Sequence, residues 1–385
     1  MGFGEPALVE SNPEVYVENA IRIIRETVRD RFAISAVSGG VDSAVATMIA
    51  WLALNDALRP VFIDTGYMRL GEVEQVKDFY GKMGLEIDIL DAQETFYKAT
   101  MGLCDAEEKR KALREVFYKV LTSYARSIGA SFIVQGTIAP DWIETVGGIK
   151  TQHNVLYQIG IRPEERYGVT ILEPIANLYK SQVRILARYL GIPEEIHKRQ
   201  PFPGPGLLVR CVGCCERRKL MVLKLATRIV ENELEGAGAS QYFAAILSKA
   251  TPAKIREAPS ELSNYKTYSF VEKATGVKGD VRAYGLILGL GGDLDELYRS
   301  RERLLKAFNL MGNYTRLLLL IDERMMGDYA IAVRAVKTED FMTADAFDVD
   351  LNKLRTIADK LLGIEDVAQV FYDITPKPPA TIEFE

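Results

Sequence analysis

A chain of 385 residues is long enough to build two domains with separate cores. Its 48% hydrophobic content and mean hydropathy near zero are those of a soluble globular protein, and the lack of any apolar run of about eighteen residues and of an N-terminal signal pattern predicts a cytoplasmic enzyme. The net charge of -5 argues against a broad nucleic-acid-binding surface.

The first strong pattern is Phe32-Ala33-Ile34-Ser35-Ala36-Val37, a short apolar run that reads as a buried strand. It leads into Ser38-Gly39-Gly40-Val41-Asp42-Ser43, and from Ala44 to Leu54 apolar residues follow at helical spacing. A loop between a strand and a helix start offers backbone N–H groups and the positive end of the helix dipole to an anion. Gly39 and Gly40 let phosphate oxygens approach the backbone, the hydroxyls of Ser38 and Ser43 can donate hydrogen bonds, and Asp42 can hold Mg²⁺. The stretch is neither a Walker A motif, since no Lys follows the glycines, nor a G-x-G-x-x-G fingerprint.

Further strands are expected at 58–63, 86–90, 131–135 and 170–172, with helices over 72–83 and 107–128 between them. Alternation of this kind predicts an α/β fold, a Rossmann-like parallel sheet with helices on both faces. Ligands of such sheets lie beyond the carboxyl ends of the strands, where Asp64-Thr65-Gly66 and Gly136-Thr137 fall. Lys109, Arg110, Lys111 and Arg114 are flanked by Glu107, Glu108 and Glu115 and read as a solvated helix face without a function.

Gln200-Pro201-Phe202-Pro203-Gly204-Pro205-Gly206 holds three prolines and two glycines in seven residues, which no regular element tolerates. It sets the expected boundary between a domain at 1–205 and an α+β domain at 206–385. Cys211, Cys214 and Cys215 lie just beyond it. Only Cys104, His153 and His197 remain to complete a metal site, so free thiols in a surface loop or a disulfide are the favoured reading and a metal site the weaker one.

The loop at 38–43 resembles the PP-loop of the N-type ATP pyrophosphatases. Further along stand Gln135 to Glu144, Gly147-Gly148-Ile149-Lys150-Thr151-Gln152-His153-Asn154, Leu172-Glu173-Pro174-Ile175, Pro201 to Leu207, Val333 to Ala344 and the tail Lys377 to Glu385. Together, and in this order, they resemble the ATP-pyrophosphatase and dimerisation domains of GMP synthetases. The resemblance implies that MgATP adenylates O2 of XMP with release of pyrophosphate, and that ammonia then attacks C2 to give GMP and AMP. It implies that Ser38, Gly39, Gly40, Val41, Asp42, Ser43 and Ala44 bind ATP, with Asp42 and Glu144 as Mg²⁺ carboxylates. Asp141, Glu144, Lys150 and His153 are the implied catalytic set, Lys150 on a lid that closes over the phosphates. Lys377, Thr381, Ile382 and Glu383 are implied for XMP, with Arg282 as a phosphate partner.

The chain departs from that pattern at Gln152, where the family generally has a second histidine, and in a stretch at about 286–327 that reads as an insertion. No amidotransferase domain precedes the loop at Ser38, so a separate glutamine amidotransferase subunit or free ammonia is expected as the nitrogen source, and the resemblance implies a homodimer. Another PP-loop enzyme such as a tRNA thiolase, and a degenerate nucleotide-binding regulatory subunit, are the alternative readings.

Overall fold

The structure is a computed structural model describing residues 5–141, 162–255, 259–278, 281–339 and 341–385. The chain divides into two compact units, Met1–Ala99 with Lys111–Gly204, and Thr100–Arg110 with Pro205–Glu385.

In the first unit β1 (Phe32–Val37), β2 (Leu58–Asp64), β3 (Asp88–Asp91), β4 (Ala130–Val134) and β5 (Thr170–Leu172) form one sheet in the order β3-β2-β1-β4-β5. Every pairing is parallel, and β1 at the centre pairs Val37 with Phe62 on one side and Ser35 with Val134 on the other. A central parallel strand is covered on both faces, which is why β1 reads as a continuous apolar run rather than an alternating one. Its one interior hydroxyl, Ser35, is matched by Thr47 Oγ1 at 2.7 Å.

The helices that flank this sheet are α1 (Pro6–Ser11), α2 (Pro13–Val28), α3 (Val41–Leu54), α4 (Glu72–Lys82), α5 (Gln93–Thr100), α6 (Ala106–Ser127) and, later, Pro163–Tyr167 and Lys180–Tyr189. Asn12 caps α2 through Val15 N, Pro13 starts it, and Tyr16, Val17, Ala20, Ile24 and Val28 form its buried stripe. Full burial of a large apolar side chain stabilises by about 1.5–3 kcal/mol, so such a stripe fixes the helix on the sheet. Buried residues surround α3 on nearly every side, from Val41 and Ala44 to Ile49 and Ala53, so its N-terminus is held by the core.

The second unit holds β6 (Gln241–Ser248), β7 (Thr251–Pro252), β8 (Lys266–Lys278), β9 (Val281–Gly291), β10 (Tyr314–Glu323), β11 (Tyr329–Lys337), β12 (Asp345–Ala346) and β13 (Val367–Asp373). They run β12-β11-β13-β10-β9-β8-β7 in one mixed sheet, with β6 antiparallel to β11. Phe243, Leu247, Tyr268, Phe270, Leu318, Phe371 and Phe384 meet in its core. The stretch 286–327, expected to be an insertion, forms an integral part of this sheet. It completes β9, supplies the helices Leu294–Arg299 and Arg301–Phe308, and provides β10, which lies between β9 and β13.

Candidate active site

The sheet order reverses between β1 and β4, and the loop 38–43 leaves the carboxyl end of β1 at this switch point, where open parallel sheets bind ligands. Gly40 precedes α3 in extended conformation, and no side chain at this cap position takes up the first N–H groups of the helix. The loop braces itself: Ser43 Oγ donates to Gly40 O at 3.0 Å, lies 3.0 Å from Ser38 Oγ and accepts from Ser38 N at 3.1 Å. Gly39 has φ +74°, and a Cβ there would stand 2.7 Å from an Arg199 guanidinium nitrogen and 2.8 Å from Val76 Cγ2. The backbone of Gly136, after β4, approaches so closely that a Cβ would lie 2.6 Å from Ser43 N. Both positions require glycine to keep this shape.

Two cations that sequence reasoning missed stand at the loop. Lys180 Nζ pairs with Asp42 Oδ2 at 2.6 Å, and Arg199 donates to Gly39 O at 3.2 Å while its other terminal nitrogen reaches buried Glu72 at 2.5 Å. Lys180 opens a helix and Arg199 follows one, so neither carries a motif that marks it. Asp42 Oδ1 is buried with no hydrogen-bond partner among the described residues.

Beyond β4, Gln135 Nε2 donates to Tyr118 OH at 3.0 Å, and Asp141 Oδ2 accepts from Ile138 N at 3.0 Å. Burial raises the Glu173 carboxyl above its ordinary range, the hydrogen bond from Thr137 opposing and the Asp141 charge adding to the rise. Glu144, Lys150, Gln152 and His153 lie outside the described residues.

In the second unit the tail is built into the fold. Ala380 and Phe384 are fully buried, Ile382 packs against the core, and Lys377 pairs with Ala344 in an antiparallel bridge. Three buried charges hold it: Asp373 Oδ2 accepts from Arg316 at 2.6 Å and from Arg334 at 2.8 Å, and both guanidiniums also donate to Thr381 O, at 2.9 and 3.0 Å. Burial alone would raise the Asp373 carboxyl, but the charges of Arg334 and Arg316 outweigh it and leave the group below its ordinary range. Burial lowers Arg316 to about 10. Of the expected XMP residues, Lys377 Nζ donates to Phe341 O at 2.6 Å, Thr381 Oγ1 to Thr275 O at 3.1 Å, and Glu383 is held by Arg210.

Arg282 lies opposite Val277 in the β8–β9 ladder, and Val277 N donates to Pro379 O at 2.7 Å, so it sits one strand from the tail. Its Nη1 reaches Glu107 Oε1 at 2.5 Å, and the same oxygen accepts from Arg110 at 2.7 Å and Tyr284 OH at 2.8 Å. Arg282 Nε is buried with no hydrogen-bond partner among the described residues. Burial favours the neutral Glu107 acid, but Arg110, Tyr284 and Arg282 prevail and its pKa falls.

The expectation of a solvated basic face is therefore corrected for Lys109 and Arg110, while Lys111 is exposed as expected. Lys109 is fully buried, paired with Glu385 and donating to the carbonyls of Cys211 and Gly213 at 2.8 Å each, and Arg110 is mostly covered. Helical spacing carried a usable signal, because Lys109 stands three residues after buried Ala106 and four before buried Leu113. Cys104 and Cys214 form a disulfide, while Cys211 and Cys215 are buried thiols. Among the described residues no group of His, Cys, Asp and Glu is arranged to hold a metal ion, and no helix is long and apolar enough to cross a membrane.

The first unit is thus a PP-loop nucleotide-binding domain of Rossmann-like fold. Residues 16–204 match the NAD synthase family and residues 297–384 the GMP synthase C terminal domain. The chain is 44% identical over 376 residues to the B subunit of the glutamine-hydrolyzing GMP synthase of Saccharolobus solfataricus, covering 97% of this chain and 100% of that protein. It is 45% identical over 380 residues to the corresponding protein of Sulfurisphaera tokodaii and 43% identical over 373 residues to that of Archaeoglobus fulgidus, in each case covering 97% of this chain and 99% of the relative. The chain belongs to this family of GMP synthase B subunits, whose members are ATP-dependent ligases that form a carbon–nitrogen bond.

Proposed function

We propose that this chain converts XMP to GMP in two steps. O2 of XMP attacks the α-phosphorus of ATP, releasing pyrophosphate, and ammonia then attacks C2, expelling AMP together with that oxygen. The observation that carries this reading is the braced loop 38–43 at the switch point of the parallel sheet, with Lys180 and Arg199 beside it. Nucleotidyl transfer asks for positioning and charge neutralisation rather than for a protein nucleophile.

In this reading Ser38 to Ala44 hold the phosphates of ATP through backbone N–H groups and hydroxyls. The orphaned Oδ1 of Asp42 fits a divalent cation, and Glu144 is the proposed second carboxylate. Mg²⁺ bound there would neutralise phosphate charge. Lys150 is proposed to screen the reacting phosphates, with Asp141 and His153 close to the same chemistry.

XMP is proposed to lie against the tail at Lys377, Thr381, Ile382 and Glu383, its phosphate on Arg282. Arg110 and Tyr284 join that set, because these two and Arg282 already converge as three donors on one carboxylate oxygen, as they would on a phosphate oxygen. The nitrogen is proposed to come from a separate glutamine amidotransferase subunit, in keeping with the names of the relatives, and the chain to act as a cytoplasmic homodimer.

Incubation with MgATP, XMP and ammonium chloride tests the reading. GMP, AMP and pyrophosphate in equal amounts are expected; ADP and inorganic phosphate in place of AMP and pyrophosphate would overturn it.

A further inference from the structure

The disulfide joins positions 110 residues apart in sequence. Both ends lie in the second unit, Cys104 in the segment Thr100–Arg110 and Cys214 in the loop 211–215. Both cysteines are exposed, so a soluble dithiol can reach the bond, whereas the thiols of Cys211 and Cys215 are buried. The same segment carries Glu107 and Arg110, which meet Arg282 and Tyr284, and Lys109, whose acceptors Cys211 O and Gly213 O belong to the loop that bears Cys214. Gly102 N adds a bond to Cys215 O at 3.1 Å. One covalent tie and a short set of polar ones thus fix Arg110 beside Arg282, and the covalent tie is the one that a change of redox state can remove.

We propose that Cys104–Cys214 is a redox site that sets the affinity for XMP: closed, it keeps Arg110 and Arg282 together on the nucleotide's phosphate, and opened, it frees the segment and weakens that grip. This rests on the reading of Arg282 as the phosphate partner. In the opening step a dithiol thiolate attacks one sulfur, the S–S bond breaks and a mixed disulfide forms. The second thiol of the reagent then resolves it. The dithiol is oxidised to its own disulfide, and the two cysteine sulfurs together take up two electrons and two protons.

The test uses the full chain, air-oxidised or treated with dithiothreitol. Free thiols are counted by alkylation after denaturation, KM for XMP and for ATP is measured in both states, and hydrogen exchange is followed over 100–110. The expected result is two alkylated cysteines before reduction and all four after it. Reduction should speed exchange in the segment and raise KM for XMP about tenfold, the loss of one charge-assisted contact, with KM for ATP and kcat at saturating XMP unchanged. Cys104→Ser should show the raised KM with no reductant present. Alkylation of Cys104 and Cys214 without reduction overturns the proposal. So does XMP turnover with the same KM and the same exchange in both states. If exchange responds to reduction but XMP is turned over in neither state, it is the functional reading that fails, and the affinity role with it.

Discussion

The guanidinium of Arg210 meets the carboxylate of Glu383 in a parallel, two-bond contact, Nε to Oε2 and Nη2 to Oε1, each 2.9 Å. Gln241 Nε2 adds a third donor at 3.1 Å. A carboxylate has about four lone-pair positions, so Glu383 has about one left for a purine N–H, in a direction that Arg210 fixes. Arg210 is 1% exposed, and removing its partner would strand a charge in the interior.

Glu383→Gln is therefore expected to cost about 3 kcal/mol of stability and to weaken XMP binding about tenfold or more. Adding Arg210→Met should restore most of the stability but none of the XMP affinity. Urea unfolding and XMP titration of both proteins read the two effects apart, and recovery of affinity in the double variant would show that Glu383 acts on the fold alone.

At the nucleotide loop, Gly39→Ala places a methyl group against Arg199 and Val76 in a backbone conformation that alanine avoids. A displacement of about 1 Å in a positioning loop can cost about 10²-fold in rate, and a loss of that order in kcat/KM for ATP is expected. Circular dichroism and thermal melting should stay close to wild type. Unchanged ATP kinetics would mean that the loop does not place the phosphates.

Lys180 is the cation paired with Asp42, and Lys180→Met removes it with little change in volume. KM for ATP should rise about tenfold while KM for XMP holds, the signature of a lost phosphate contact. An effect on XMP alone would contradict the assignment.

The pH dependence of stability follows from Asp373. Its folded pKa lies below the unfolded value, so the folded state binds fewer protons and the contribution is complete above the ordinary range of about 4. It is lost as pH falls through the depressed folded value. The stability gap between wild type and Asp373→Asn should be constant near neutrality and shrink on the acid side, as chemical unfolding across that range would show. A gap that widens on acidification would contradict the buried ion triad.

Much of the first unit was legible because a parallel strand, a glycine-rich turn and a buried helix each leave a local signature. The apolar run of β1, the loop 38–43 and the strand at 170–172 stand where periodicity put them. The helix after the loop begins at Val41, before the expected Ala44, because its first turn is part of the loop itself. What escaped depends on distant partners. β10 pairs in parallel with β9 and antiparallel with β13, and from sequence its residues looked like an insertion. Lys109 and Arg110 sit among glutamates that suggest solvent, yet their acceptors are Glu385, the loop at 211–213 and Glu107. Lys180 and Arg199 have no local motif at all and reach the nucleotide loop only through the fold.

The most direct measurement is turnover of XMP that carries the heavy oxygen isotope at O2, with MgATP and ammonium, followed by mass analysis of the products. Adenylation at O2 predicts that the label leaves in the phosphate of AMP and that GMP is unlabelled. Unlabelled AMP formed alongside GMP would mean that ATP activates some other group, and would contradict the account.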